Sequence, residues 1–119
     1  MSHFNDMIEI IKRNPNFEKV GMILCHNGIV RGYSKDGRKV KGLKVKLDKT
    51  KLKELINKIK NKPGIIDVLV DIREGKLEIG EDIMFAVIAG DIRENVFPAL
   101  EEAVNSIKGD ILQKEEEIF

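Results

Sequence analysis

The sequence predicts an α+β fold: one domain over residues 1–119, with helices flanking an antiparallel or mixed sheet. Three observations carry this. Helical periodicity of apolar residues appears in three separate segments, β-branched or alternating runs lie between them, and the two types do not follow the regular strand–helix–strand order of a parallel sheet. A length of 119 residues suits one hydrophobic core and leaves no room for a second.

Phe4, Met7, Ile8 and Ile11 recur at helical spacing behind Ser2, a candidate N-cap, until Pro15 ends the pattern. Val20 to Cys25 is a compact apolar run closed by His26-Asn27-Gly28, which suits a strand entering a tight turn or bulge. Asp36-Gly37 marks a further turn. From Val40, the residues Leu43, Val45 and Leu47 alternate with Lys44 and Lys46, the period of a strand with one wet face. Asp48 or Thr50 can cap a second helix, carried by Leu52, Leu55, Ile56 and Ile59 and stopped before Pro63-Gly64. Ile65 to Ile72 and Leu77 to Ala89 read as strands, the second broken near Gly80. Phe97, Leu100, Val104 and Ile107 mark a third helix, in which Pro98 must lie near the first turn, and Gly109 closes it. The charged segment from Ile111 to Phe119 leaves a further strand and an irregular tail both open.

Aromatic residues are only 5% of the chain and Trp is absent, so the core must be built from Ile, Leu and Val. No apolar run reaches the roughly 20 residues of a membrane helix. The N-terminus has no secretion-signal pattern, so a cytoplasmic protein is expected. The lone Cys25 rules out an internal disulfide, and with only His3 and His26 beside it no zinc-type spacing arises. No metal and no resident cofactor are expected. The net charge of +1 conceals an asymmetry: residues 31–62 hold 13 Lys or Arg against 3 acids, and residues 63–119 hold 5 against 14. Such a basic block can meet RNA or an acidic protein, or be plain solvated surface.

Familiar catalytic constellations are absent. Cys25 and His26 are adjacent, so in a strand they point to opposite faces and cannot form a thiol–imidazole pair. Cys25 reads as a buried small hydrophobe, and His26 as a strand-end residue that either lines a site or is a plain surface histidine. More informative are cations at the ends of elements: Arg31 after the first strand, Arg73 after the third, Arg93 before the third helix, Lys108 at its end, and Lys114 soon after. Loops gather at such places, and anions collect there.

Four segments in order, GMILCHNGIVR from Gly21, IREGKLEIGED from Ile72, AGDIRENVF from Ala89 and SIKGDILQKEEE from Ser106, resemble the large, catalytic subunit of molybdopterin synthase. That family shows F-x-G-x-V-R, then H-R-x-G-x-L-x-x-G-(D/E), then S-x-H-R opening a helix, and closes with a lysine and P-(I/F)-W-K-(K/R)-E. Arg31, Arg73, Arg93 and Lys108 match its arginines and its helix-end lysine. Lys114 matches the later lysine if this chain is one residue shorter between the two. Ile72 and Ile92 stand where the family has histidines, His26 replaces the aromatic residue before the first glycine, and Ile111-Leu112-Gln113 replaces the proline–aromatic–tryptophan run.

The resemblance implies a hammerhead α+β subunit that forms a homodimer within a heterotetramer. Its partner is a small ubiquitin-like protein (MoaD-like) whose Gly-Gly tail ends in a thiocarboxylate. The sulfur is delivered to cyclic pyranopterin monophosphate, giving the dithiolene of molybdopterin. Lys108, with Lys114, is then the catalytic candidate, and Arg31, Arg73, Arg93 and His26 are the substrate-binding candidates. Two other readings stay open: a homologue that keeps the anion pocket for another substrate or for binding alone, and a small RNA- or protein-binding module using Lys35 to Lys62. Near-neutral total charge and the lack of aromatics beside the lysines argue against RNA.

Overall fold

The computed structural model describes residues 3–119 and places two three-stranded antiparallel sheets around three helices. Ser2, the expected cap of the first helix, lies outside the described residues. Helix α1 spans His3–Lys12, β1 Met22–Ile29, β2 Val40–Leu47, α2 Lys49–Lys60, β3 Ile65–Ile72, β4 Gly75–Leu77, β5 Asp82–Gly90, α3 Arg93–Ser106 and β6 Leu112–Ile118. The first sheet has the order β1-β5-β3 and the second β4-β2-β6. The α+β class is therefore borne out, with every strand pairing antiparallel. No helix among the described residues is long and apolar enough to cross a membrane.

Each face of the first sheet buries its own set of side chains, because successive residues of a strand point to opposite sides. Met84, Ala86 and Ile88 of β5 pack under α2 and α3 with Val68, Leu55, Ile59, Ala99, Ala103 and Ile107. Val87 and Ala89 face the other way and meet Met7 and Ile11 of α1. The α2 pattern behaves as expected: Leu55 and Ile59 are buried, and Asp48 accepts a hydrogen bond from the Lys51 N–H at 3.1 Å, making it the N-cap.

Several expectations need correction. Strand β1 does not stop at Cys25 but continues through His26-Asn27-Gly28, with its irregularity between Gly28 and Ile29. Cys25 is exposed rather than buried: it pairs with Val87 on the α1 face of the edge strand β1 but lies outside the cluster that α1 covers. The stretch from Leu77 to Ala89 is two strands in two different sheets, separated by the turn in which the Glu81 N–H donates to the Glu78 carbonyl. Helix α3 begins at Arg93, four residues before Phe97, so Pro98 lies inside it on the solvent side. The core-facing set is Val96, Ala99, Ala103 and Ile107, while Phe97 is 54% exposed. Gly109 does not close the helix, since a π turn over Ile107–Ile111 carries the chain directly into β6. The charged tail is thus a strand.

That last strand answers the basic block. Lys44 of β2 stands opposite Glu115, and Lys76 of β4 reaches Glu117 at 3.6 Å. In α2, Lys51 pairs with Asp110, Lys60 with Asp67 and Lys58 with Glu102, which Lys62 just beyond the helix also reaches. The acidic second half folds back over the basic first half, which weakens the case for a nucleic-acid face.

The junction between α2, β3 and α3 depends on Gly64, whose φ of +79° lies in the left-handed region. A Cβ there would come within 2.3 Å of both Asn95 Nδ2 and Asp91 Oδ1, the two groups whose 2.9 Å hydrogen bond shapes the start of α3. Gly64→Ala is expected to destabilise the protein by about 2 kcal/mol or more, through both backbone strain and the clash. Urea denaturation would read this as a lower midpoint at unchanged slope.

Candidate functional site

Alternation along β1 and β6 decides which side chains can meet. His26 pairs with Ala86 and Gly28 with Met84, so His26 faces the α3 side of the sheet, whereas Cys25 pairs with Val87 and faces the α1 side. In β6, Lys114 lies opposite Val45 and Glu116 opposite Leu43, both buried residues, so these two charged side chains share the inner face of the second sheet. Gln113 and Glu115 take the outer face with Lys44 and Lys46.

A cleft of about 320 Å³ opens where the two sheets meet. Val30, Val40, Leu43 and Ile83 form its apolar floor, and Arg31, Lys35, Lys114 and Glu116 form its rim. A larger hollow of about 780 Å³ lies over Lys44, Lys46, Gln113 and Glu115 and also touches Lys114, but there Lys44 already faces Glu115. The smaller cleft is the better site because its cations lack partners: among the described residues, none of Arg31, Lys35 and Lys114 forms an ion pair, and neither does Lys108 nearby.

Lys108, in the π turn after α3, joins this group through its electrostatic effect on two neighbours. Burial, and then the charges of Lys108 and Lys114, push the His26 imidazole below its usual 6.5. Partial burial of the Lys114 ammonium, and then the charge of Lys108, lower Lys114 from 10.5; Glu116 opposes this, while Lys35 and Arg31 add to it. Lys114 as a residue is exposed, so this burial is partial. His26 Nε2 is buried without a hydrogen-bond partner. Such a cluster of cations around a neutral imidazole favours an anion, which would relieve the mutual repulsion.

The loop holding Lys35 is fixed by its neighbours. Ser34 O–H donates to Asp36, Arg38 meets Asp36 at 2.8 Å, and these bonds hold the Asp36 carboxyl down to about 2. Within one chain, Arg73 and Arg93 do not join the cluster. Arg73 lines a separate hollow on the α1 side with His3, Asn27, Asp71 and Asp82. Arg93 opens α3 beside Glu94 at 3.7 Å, at the end of the sheet where Met22 pairs with Gly90. The cleft lies by the other end of β5, whose nine residues span roughly 30 Å. Lys35 and Glu116 were missed by sequence reasoning, and only the register of β6 could have pointed to Glu116. No group of three His, Cys, Asp or Glu side chains among the described residues is placed to hold a metal ion.

The description of the MoaE protein family matches residues 3–110 of this sequence. The chain belongs to the MoaE family. An uncharacterized protein of Methanocaldococcus jannaschii is 40% identical over 94 residues, covering 76% of this chain and 79% of that one. Molybdopterin synthase from Staphylococcus aureus superposes with a TM-score of 0.73 at 25% identity, over 86% of this chain and 77% of that one. Molybdopterin cofactor biosynthesis protein E from Burkholderia multivorans gives 0.74 at 24% identity, over 100% and 84%. A complex of subunits 1 and 2 of molybdopterin-converting factor from Helicobacter pylori gives 0.72 at 19%, over 98% and 80%. At these last two identities the likeness is one of fold. The family match includes Lys108 and ends before Lys114, so β6 of this MoaE chain lies beyond it.

The lowered His26 value has a consequence for stability. Folding disfavours the imidazolium, so His26 is neutral in the folded chain at neutral pH, and protons bind more readily to the unfolded chain. Its contribution is fully present above 6.5 and is lost as pH falls through 6.5 towards the folded value. His26→Phe should remove this part of the acid sensitivity. Urea midpoints compared across a pH series should keep a constant offset above 6.5, and the variant should gain relative stability below it.

Proposed function

We propose that this MoaE-family chain is the large subunit of a molybdopterin synthase, acting in molybdenum cofactor biosynthesis. On this reading it transfers sulfur from the C-terminal thiocarboxylate of a small ubiquitin-like partner to cyclic pyranopterin monophosphate. The observation that carries the reading is the gathering of unpaired Arg31, Lys108 and Lys114 beside neutral His26 at the junction of the sheets. Family membership and the Staphylococcus aureus structure support the transferase class, and the Helicobacter pylori complex supports a second subunit as partner.

The chemistry requires a phosphate, a planar ring and an anionic tail to share one pocket. Arg31 offers a planar fork for phosphate oxygens, and Lys114 a charge that an arriving anion would stabilise. Lys108 is assigned to the reacting carbonyl, where it stabilises developing negative charge or assists proton transfer. The thiocarboxylate supplies the sulfur, so no cysteine nucleophile is needed; Cys25 lies on the opposite face of β1 from His26. Arg73 and Arg93 can serve the same pocket only from a second copy, which makes the proposed assembly a homodimer within a heterotetramer.

A second reading rests on a specific observation. Ile92, where the family has a histidine, is 52% exposed, and Ile72 replaces the other histidine. A homologue that keeps the anion cleft for another substrate would tolerate both changes.

The deciding experiment mixes the chain with a thiocarboxylated partner and cyclic pyranopterin monophosphate and measures the dithiolene product. In a working synthase, Lys108→Ala should lower turnover by on the order of a hundredfold or more while leaving partner binding and melting temperature nearly unchanged. Turnover of Lys108→Ala at the parent rate would remove the catalytic role of Lys108, and a parent chain that forms no dithiolene would favour the homologue with another substrate. Sedimentation should find a dimer at about ten micromolar; a monomer there would remove any shared role for Arg73 and Arg93.

A further inference from the structure

Lys108 sits on a turn that has open space on both sides. Helix α3 ends at Ser106, and Ile107–Ile111 form a single π turn in which the Leu112 N–H donates to the Ile107 carbonyl. The ends of the turn are anchored, with Ile107 at 0% and Ile111 at 4% exposure. Between them Lys108, Gly109 and Asp110 are exposed, and a Cβ built on Gly109 would meet nothing within 4 Å. Hollows of about 590 Å³ and 470 Å³ flank the turn, and Lys51 and Asp110 line both. Where the two hollows adjoin, the Lys51 Nζ bonds the Asp110 Oδ1 at 3.0 Å.

We propose that Lys51 is a positioning residue for Lys108: its ammonium, joined to the Asp110 carboxylate, holds the π turn so that Lys108 stays at the cleft. The proposal rests on the role given to Lys108 above. Lys51 is suited to it because the first turn of α2 is tied to the same segment by main chain. The Lys51 N–H donates to Asp48 Oδ1, and the Asp48 N–H donates to the Ile111 carbonyl at 3.0 Å. The far end of the turn is therefore fixed without the ion pair, and the ion pair is the side-chain contact that restrains the middle. π turns of this kind recur where a helix must place one residue at a functional site. The Asp110 hydrogen bond and charge raise the Lys51 value above 10.5, so the latch keeps its charge throughout the neutral range.

An exposed ion pair contributes little to global stability, so its loss should leave the protein folded. A displacement of about 1 Å at a reacting group, in contrast, can cost on the order of a hundredfold in rate. Lys51→Met keeps the apolar stem and removes the charge. In the full assembly with thiocarboxylated partner and substrate, kcat is expected to fall about tenfold, with KM and melting temperature nearly unchanged. Lys51→Arg should restore most of the rate, and so should the exchanged pair Lys51→Asp with Asp110→Lys. Amide relaxation of the isotopically labelled chain provides a readout that needs no turnover: Lys108 and Gly109 should lose order in Lys51→Met and regain it in the exchanged pair. An unchanged kcat together with unchanged Lys108 order, or failure of the exchanged pair to restore either, overturns the proposal. If the parent chain makes no product, the proposed function has failed, and the order of Lys108 alone decides whether the latch exists.

Discussion

Strand β5 is hydrogen-bonded along both edges and lined with buried side chains on both faces, and the other elements are placed with respect to it. Its residues Ala86, Val87, Ile88 and Ala89 are all 0% exposed, so neither face can be left without cover. Helix α1 covers one and helices α2 and α3 the other. The small size of Ala86 and Ala89 lets the helices approach closely, and Gly90 extends this: a Cβ there would come within 2.5 Å of Val96 and 2.7 Å of the Gly64 carbonyl. The point where α3 leaves the sheet is thereby set by van der Waals contact. Since α3 carries the turn bearing Lys108, the position of that lysine originates in the packing of β5.

The same parity argument governs the charged residues. A shift of one residue in the pairing of β6 with β2 would turn Lys114 and Glu116 outward and bring Gln113 and Glu115 inward. The register is held by apolar residues at either end of the ladder, Leu112 opposite Leu47 and Ile118 opposite Val40, and assisted by Lys44 opposite Glu115. Hydrophobic burial thus selects which charges reach the cleft. Repulsion among those selected charges is tolerated because the cleft is open to solvent, and it leaves the site biased towards anions.

Much of this fold was legible in the sequence because its signals are local. The α2 cap at Asp48, the alternation of Leu43, Val45 and Leu47, and the turn at Asp36-Gly37 each depend on residues a few positions apart. The errors arose where distant partners decide. Leu77 to Ala89 shows its break near Gly80 but not that β2 takes the first part into another sheet, and the tail from Ile111 stays open between strand and irregular chain until β2 supplies a ladder for it. The phase of α3 was misread because Pro98 suggested a start at Phe97, whereas a proline is accommodated here in the second turn on the solvent side. At the site, Arg31 after β1 and Lys108 after α3 were visible at element ends, whereas His26 and Lys114 lie inside β1 and β6, and the meeting of all four depends on pairings between remote strands. Lys35 carries no local mark that separates it from the lysines around it.

The pairings of β1 with β5 and of β2 with β6 join segments separated by roughly half the chain. Each sheet therefore needs a long loop to close before its ladder can begin, and the two closures interleave, since β2 lies between β1 and β5 in sequence while β5 lies between β2 and β6. Neither sheet can zip up from a local hairpin alone, apart from the β3–β5 pair, so the search for the native topology is governed by non-local contacts. Refolding should accordingly belong to the slow end for a chain of this size. Until the last strand docks, the lysines of β2 and the acids of β6 attract each other through solvent, and this long-range attraction guides the closing segment towards its edge before any hydrogen bond has formed.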